Sequence, residues 1–215
     1  MKKDIEIVNP VLRAPAKNGI VPVWNENCRV LMIGSITSVD GMKIGYLYGS
    51  RHNQFWQLLD YCLGIDSTTS DSFSFLKKLL IENYKNSITA SQFEENKKRI
   101  REQFRRRLLE HHVAMCDIFE ECYFNGTGSA DIDIILNNDD YPCKTYKDLL
   151  TEIIEKAQIE TVIVNSDFVE KLFLAMNIPG DYEVKKVITP VQRCKTLEEK
   201  QHNWSEAFNG TSLNK

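Results

Sequence analysis

The stretch at residues 29–56 reads RVLMIGSITSVDGMKIGYLYGSRHNQFW and decides the fold. It begins with an apolar run at residues 30–33, which stops at Gly34 and Ser35. A short apolar run that ends in a small-residue turn is typical of a strand buried on both faces of a parallel sheet. The stretch therefore predicts a central strand followed by a polar loop.

A helix with the sequence NQFWQLLDYCLG is predicted to begin near Asn53, after this loop. In open α/β sheets, ligands bind between the carboxyl end of a strand and the helix that follows it. The first turn of such a helix also presents backbone N–H groups that can bind a phosphate or another anion. We therefore expect the ligand site to lie within residues 34–56.

The remaining segments alternate between strand and helix patterns. Further strands are predicted at residues 113–119, 160–164 and 183–189, and further helices at 72–80, 92–110, 144–157, 167–176 and 196–207. Strands that alternate with helices form parallel sheets covered on both faces. The sequence therefore predicts a three-layer α/β/α fold around a four-stranded parallel sheet.

Length and composition suit a single domain. The chain has 215 residues, of which 42% are hydrophobic and 27% charged, with a net charge of −3. This balance argues against a protein that coats nucleic acid non-specifically, but it leaves room for a local basic groove. Residues 1–28 contain Pro10, Pro15 and Pro22 and are predicted to form an extended arm packed on a domain at 29–215.

The six cysteines form no C-x-x-C pair, no zinc-finger spacing and no iron–sulfur pattern. His111 and His112 have no third ligand nearby in the sequence. The residues therefore predict no metal, no cofactor and reduced thiols in a cytoplasmic protein. The N-terminus lacks the apolar run of a signal peptide, and no segment predicts a membrane span.

The opening stretch resembles the uracil-DNA glycosylase superfamily. It is most similar to the hypoxanthine (deoxyinosine) DNA glycosylase branch and more distantly similar to the mismatch-specific glycosylases. That branch typically has Gly-Ser-Phe-Pro after the first strand and Tyr-Ala-His-Pro-x-Asn-x-Phe-Trp before the helix. Here the first motif is Gly34-Ser35-Ile36-Thr37, and the second runs from Tyr48 to Trp56. Its Asn-x-Phe-Trp end is intact, whereas Ser50 and Arg51 replace the His-Pro pair.

Weaker matches continue downstream in the same order. The family's Asp on the second strand is matched by Asp117, and its Asn at the end of the third strand by Asn165. A Gly-Ser followed by an Asp is matched by Gly128, Ser129 and Asp131. The resemblance therefore implies the glycosylase fold over nearly the whole chain.

The resemblance also implies roles for individual residues. It assigns Asn53 to hold the attacking water, although the same Asn is a good helix N-cap. Phe55 would stack on a flipped base, although an aromatic residue here also suits the core. Ile36 stands where other branches carry an Asp or Asn, and its side chain cannot activate water. The implied base pocket consists of Gly34, Ser35, Ile36, Tyr48, Phe55 and Asn165.

DNA contacts are expected from the loop before the helix, from the segment after the fourth strand and from helix 92–110. The expected contact residues are Arg51, His52, Thr189, Pro190, Gln192, Arg193, Arg105 and Arg106. Helix 92–110 carries seven basic and four acidic residues, so its net charge is +3. A basic face can follow a phosphate backbone, but it can equally be an ordinary solvated helix face.

These observations predict a monofunctional DNA glycosylase that flips a deaminated or modified base and hydrolyses its N-glycosidic bond. DNA is the expected partner, and a monomer is the favoured state. The altered residues Ile36 and Thr37 support an alternative, in which the fold has lost catalysis and serves as a nucleic-acid or nucleotide binding module.

Overall fold

The computed structural model describes residues 7, 10–14, 22–86, 89–126, 134–136, 138–191, 195–211 and 213. In chain order its elements are β1 (Val11–Arg13), β2 (Val30–Gly34), α1 (Val39–Ile44), α2 (Phe55–Cys62), α3 (Phe73–Asn86), α4 (Ala90–Glu110), β3 (Val113–Asp117), β4 (Phe119–Phe124), β5 (Lys144–Thr145), α5 (Lys147–Ala157), β6 (Thr161–Val164), α6 (Asp167–Ala175), β7 (Glu183–Lys186) and α7 (Leu197–Phe208).

The main sheet has four parallel strands in the order β3-β2-β6-β7. Val30 of β2 pairs with Val113 of β3 on one side and with Thr161 of β6 on the other. All five residues of β2 are buried, as expected for the central strand of a sheet covered on both faces. The predicted fold class is confirmed.

Alternate residues of β2 point into two separate cores. Val30 and Met32 pack in a cluster with residues of α2, α3, α4 and α7. Leu31 and Ile33 pack in a second cluster with residues of α5, α6 and β4. This alternation follows from the two-residue period of a strand, and it produces the three layers.

A second sheet of three antiparallel strands, in the order β1-β4-β5, was not predicted. The predicted strand at 113–119 instead divides into β3 and β4. Ile118 N donates to Gly34 O (2.8 Å) and Phe119 N to Ser35 O (3.0 Å), so the chain changes direction beside the end of β2. The half-buried pattern of β4 suits an antiparallel strand with one exposed face.

Several element boundaries also differ from the sequence prediction. Helix α1 was not predicted, α3 continues well beyond residue 80, and β7 ends before residue 189. Helix α2 begins at Phe55, two residues later than predicted, and the backbone of Asn53 forms an isolated bridge with Val191. Among the described residues, no helix is long and apolar enough to cross a membrane.

Candidate active site

The candidate site lies at the carboxyl edge of the main sheet, where the ends of three strands meet. Gly34 ends β2 and pairs with Asp117, which ends β3. Asn165 directly follows β6, the neighbour of β2 on the other side. Because neighbouring parallel strands finish at the same edge, residues far apart in the sequence come together here.

Tyr48 lies directly over Gly34. A Cβ atom added to Gly34 would be 2.5 Å from the Tyr48 hydroxyl oxygen and 2.7 Å from Asp117 Oδ1. Asn165 Nδ2 donates a hydrogen bond to the same tyrosine hydroxyl at 2.9 Å. The structure therefore brings together Gly34, Tyr48 and Asn165, all of which were predicted for the base pocket. Only a glycine leaves room for this approach at the end of β2.

A buried polar pair supports this arrangement. Thr37 Oγ1 donates to Asp117 Oδ2 at 2.9 Å, and both residues are only 3% exposed. The sequence identifies Asp117 only as a match to the family's strand residue, and Thr37 only as a replacement for a proline. A buried carboxyl group at a strand end is the sequence signal that could have identified the pair, because such a group needs a hydrogen-bond partner.

The aromatic residues divide into one at the site and two in the core. Tyr48 is half-buried and stacks on Phe55, with ring centroids 3.8 Å apart. Phe55 is 1% exposed and also packs edge-on against Trp56 and Trp204. From this position Phe55 has no face to offer a base, so its expected stacking role is not supported by the structure. Tyr48 is the member of the stack that lies at the site.

The other two pocket residues lie in the loop that follows β2. Ser35 is half-buried, and its carbonyl accepts the hydrogen bond from Phe119 N. Ile36 packs against the core cluster of α5 and α6, whereas Tyr48 packs against the cluster on the opposite face of the sheet. Ile36 therefore lies across the sheet edge from Tyr48 and contributes apolar surface alone.

Asn53 sits at the entrance to α2, where its backbone is held on several sides. Asn53 N donates to Ser50 O (3.0 Å), and its carbonyl oxygen accepts from Lys77 Nζ. Its side-chain Oδ1 accepts from Phe55 N at 2.8 Å and so satisfies the first backbone N–H of α2, although the N-cap residue of that helix is Gln54. Within the described residues, no acceptor is hydrogen-bonded to Asn53 Nδ2.

Two lysines, Lys77 of α3 and Lys200 of α7, donate hydrogen bonds to the residues immediately before α2. Burial lowers the pKa of Lys77 from its ordinary 10.5 to about 8. Lys200 is fully buried, and its Nζ donates to Gln54 Oε1 and to Val191 O, both at 2.7 Å. Together with the bond from Gln54 N to Pro190 O (2.9 Å), these contacts dock the segment after β7 onto the start of α2.

The residues expected to contact DNA fall into different environments. Arg51 and His52 are exposed beside Asn53, and Arg51 Nε donates to His52 Nε2 at 2.8 Å. Thr189 is half-buried, but Pro190 is buried, so the expected contact between Pro190 and DNA is not supported. Gln192 and Arg193 lie outside the described residues, as do the matched residues Gly128, Ser129 and Asp131.

Three of the basic side chains of helix α4 form hydrogen bonds or ion pairs with other groups of this chain. Arg101 Nε donates to Gly45 O, and Arg107 donates to Ser72 O (2.7 Å) and Ser70 O (2.9 Å). Lys97 is buried and paired with Glu94. These three cations are therefore structural and do not belong to a phosphate-binding face.

Arg105 and Arg106 remain exposed on α4. Arg105 Nη1 lies 3.7 Å from Glu102 Oε1, and Arg106 Nε lies 3.4 Å from Glu110 Oε1. Since α4 leads into the amino end of β3, both arginines lie toward the edge of the sheet opposite Asn53. Their expected contact with DNA stays a prediction, and it would require a surface that extends away from the candidate site.

A surface cleft of about 300 Å³ lies elsewhere, between α3 and α4. Its lining includes Leu79, Asn83, Gln92, Asn96 and Ile100. None of the predicted site residues contributes to it, so this cleft is not part of the candidate site.

Comparison with protein-family models returns no match, and comparison with curated proteins returns none. Among solved structures, the chain is similar to the solution NMR structure of a "putative Uracil DNA glycosylase" from Methanosarcina acetivorans. The TM-score is 0.51 at 19% sequence identity, and the match covers 91% of this chain and 97% of that chain. The chain therefore has a uracil-DNA glycosylase-like α/β fold, with the four-stranded parallel sheet at its centre.

Proposed function

We propose that this protein is a DNA glycosylase, which hydrolyses the bond between a deaminated or modified base and its deoxyribose. The observation that carries the proposal is the meeting of Gly34, Tyr48 and Asn165 at the carboxyl edge of the sheet. These residues match family positions in three separate segments. Their contact across 117 residues of sequence supports a shared ligand site. Asn53 is two residues before Phe55, the ring on which Tyr48 stacks.

In this proposal, Asn53 positions the water that attacks the sugar. The C1′–N bond breaks, the water oxygen bonds to C1′, one water proton is released and the departing base is protonated. A neutral amide does not accept that proton, so Asn53 acts by orienting the water. Its Nδ2 group makes no hydrogen bond within the described part of the chain, and its Oδ1 keeps a second lone pair beyond the one used by Phe55 N.

The flipped base would be held by Tyr48 and the polar groups around it. Enzymes that extrude a base commonly stack it on an aromatic ring and read its polar edge by hydrogen bonds. The half-buried ring of Tyr48 would provide the stacking surface, the Asn165 amide is hydrogen-bonded to its hydroxyl, and the Asp117 carboxyl group lies next to Gly34 below it. This assignment transfers the stacking role from Phe55 to Tyr48.

Contacts with the DNA backbone are proposed for Arg51 and His52, because both are exposed in the loop that leads to Asn53. An arginine beside the reacting nucleotide can neutralise a phosphate and fix the position of the strand. Thr189 offers a further hydroxyl from the segment docked on the same helix. A sulfhydryl, metal or organic cofactor is not required for this reaction.

A second candidate function is nucleic-acid or nucleotide binding without catalysis. The observation in its favour is that Asn53 already has a structural task, because its Oδ1 accepts a hydrogen bond from Phe55 N, the first backbone N–H of α2. Ile36 adds no acid or base to the site. In this case the same surface would recognise an extruded base but leave its glycosidic bond intact.

Oligonucleotides that carry a single inosine, uracil, xanthine or modified cytosine would test the proposal. Single-stranded and duplex substrates are incubated with the protein and treated with alkali, which breaks the strand at any abasic site. We expect a break at one modified base for the wild-type protein, a break formed far more slowly with Asn53→Ala, and none in the unmodified strand. Binding of a modified strand without any break would establish the binding module instead.

A further inference from the structure

Two cysteines lie close together beside the small sheet: Cys122 is in β4, and Cys143 immediately precedes β5. Strands β4 and β5 are antiparallel, and Glu121 pairs with Lys144. Cys143 immediately precedes β5, and one further step in the register of Glu121 and Lys144, beyond the shift between Phe119 and Glu121, would place it opposite Cys122. Directly opposed residues in antiparallel strands have Cα atoms about 4.5–5.5 Å apart, which falls within the roughly 4.4–6.8 Å range that disulfides span.

The side chains of the pair face the same core and contact each other. Cys122 is fully buried, and Cys143 is half-buried against the same hydrophobic cluster. The Cys122 thiol lies within hydrogen-bonding reach of the Cys143 sulfur, and both cysteines are reduced thiols. Cys143 Sγ also lies 3.1 Å from the carbonyl oxygen of Ile135.

The environment of Cys143 favours its thiolate. The hydrogen bond from Cys122 is the main cause that lowers the pKa of Cys143 to about 7; burial opposes it, and a hydrogen bond from the backbone of Tyr123 adds to the lowering. For the other cysteines burial is the largest influence: it raises the pKa of Cys28 and Cys116, and it raises the pKa of Cys62 to about 12. Among the described cysteines, Cys143 therefore combines partial exposure with a reactive form near neutral pH.

We propose that Cys122 and Cys143 form a reversible intramolecular disulfide when the protein meets a hydroperoxide. The Cys143 thiolate attacks the terminal oxygen of the peroxide, the O–O bond breaks and hydroxide leaves (alkoxide, for an organic hydroperoxide), which converts Cys143 to a sulfenic acid. The Cys122 sulfur then attacks the Cys143 sulfur, and water is formed from the leaving hydroxyl group and the thiol proton. Overall, two thiols lose two electrons to one peroxide, and two oxygen atoms leave as water or alcohol.

The bond would connect β4 to the segment that enters β5. Strand β4 begins two residues after Asp117, so the link would brace the small sheet next to the candidate site. The proposal rests on the register and contacts of these cysteines, and it holds whether or not the protein excises bases.

Peptide mapping under non-reducing conditions tests the proposal on the full chain. The reduced protein is treated with a small excess of hydrogen peroxide, blocked with iodoacetamide and digested. We expect a Cys122–Cys143 linked peptide that disappears after treatment with dithiothreitol. Before oxidation, Cys143 should react with iodoacetamide about tenfold faster than an ordinary thiol at pH 7, because more of it is thiolate.

Variants separate the two steps of the reaction. Cys122→Ser should accumulate a sulfenic acid on Cys143 that dimedone captures, and Cys143→Ser should form no such linked peptide. Cys62→Ser is the matched control and should keep the link. If Cys122→Ser does not fold, the iodoacetamide rate of the wild-type protein and its linked peptide still decide the question. A link to a different cysteine, or sulfinic acid on Cys143 as the main wild-type product, would overturn the proposal.

Discussion

The ring of Tyr48 stacks face to face on the ring of Phe55, with centroids 3.8 Å apart and planes within 1° of parallel. Phe55 belongs to the core, while the hydroxyl of Tyr48 reaches over Gly34 and accepts from Asn165. The tyrosine is therefore fixed by packing along its ring and by a hydrogen bond at its tip. Such a preformed surface is what stacking on an extruded base requires.

Replacing Tyr48 with Phe should preserve the stack but remove the acceptor for Asn165 Nδ2. A single missing hydrogen bond changes the unfolding free energy by about 1 kcal/mol. We expect single-turnover excision to slow by about tenfold because the Asn165 amide is no longer oriented. Tyr46→Phe is a matched control, since within the described structure the buried Tyr46 hydroxyl has no hydrogen-bond partner. That control should leave excision unchanged, and equal losses in both variants would contradict a role for the Tyr48 hydroxyl.

Gly34→Ala should disturb the site directly. The new methyl group would clash with the Tyr48 hydroxyl and Asp117 Oδ1, so both side chains must move. Overpacking of this kind typically costs about 1–3 kcal/mol, which urea unfolding would measure. Gly64→Ala is the control, because its added Cβ meets nothing within 4 Å and only its backbone conformation is strained. Excision should fall in Gly34→Ala and persist in Gly64→Ala; excision retained by both would place the reaction elsewhere.

The structural and catalytic roles of Asn53 can be tested separately. Asn53→Ala should lose about 1 kcal/mol of stability, because the hydrogen bond from Phe55 N loses its acceptor. Its excision rate should fall by a factor of about 10²–10³, the scale expected when a transition-state hydrogen bond is removed. Asn53→Ser keeps an oxygen that can accept from Phe55 N but lacks the amide, so it should restore stability without restoring excision. If Asn53→Ala excised the base at the wild-type rate, Asn53 would have only a structural role at the start of α2.

Lys77 should make stability depend on pH in the alkaline range. Its folded-state pKa of about 8 lies below the unfolded value of 10.5, so between these values the unfolded chain binds more protons. The contribution of Lys77 to the unfolding free energy therefore rises as pH increases from 8 to 10.5, by at most about 3 kcal/mol. Urea unfolding of wild type and Lys77→Met across this range should show the wild type gaining stability relative to the variant. Lys78→Met, at the exposed neighbouring position, is the control and should follow the pH dependence of the wild type. If the unfolding free energies of wild type and Lys77→Met changed equally with pH, the pKa of Lys77 would not be lowered by folding.

The salt dependence of DNA binding should identify the docking surface. Removing a cation that neutralises one phosphate lowers the slope of log affinity against log salt by about 0.9. We expect Arg51→Gln to reduce this slope, because Arg51 is exposed beside Asn53. The double variant Arg105→Gln with Arg106→Gln tests α4 without disturbing Arg107, which holds the turn before α3. If the double variant reduced the slope and Arg51→Gln did not, DNA would dock on α4 and not on the loop that contains Arg51.

The local pattern of residues predicted the layered fold because a strand buried on both faces of a parallel sheet is a continuous run of apolar residues. The apolar run ending at Gly34 and the alternation of strands with helices required no knowledge of distant contacts. The small antiparallel sheet escaped prediction because β1 has three residues and β5 has two, too few to show a period. Its existence depends on pairing between segments that are far apart in the chain.

By itself, the sequence determined the central parallel sheet, the position of Asn53 at the start of a helix and the aromatic character of the residues around it. Only the tertiary structure decided that Tyr48 lies at the site while Phe55 is buried, and that Arg101 and Arg107 hold loops instead of facing solvent. It also decided that Thr37 meets Asp117, 80 residues away. The physical reason is that periodicity shows which side of an element is apolar. The register and packing of whole elements determine which side chain from another segment lies opposite it.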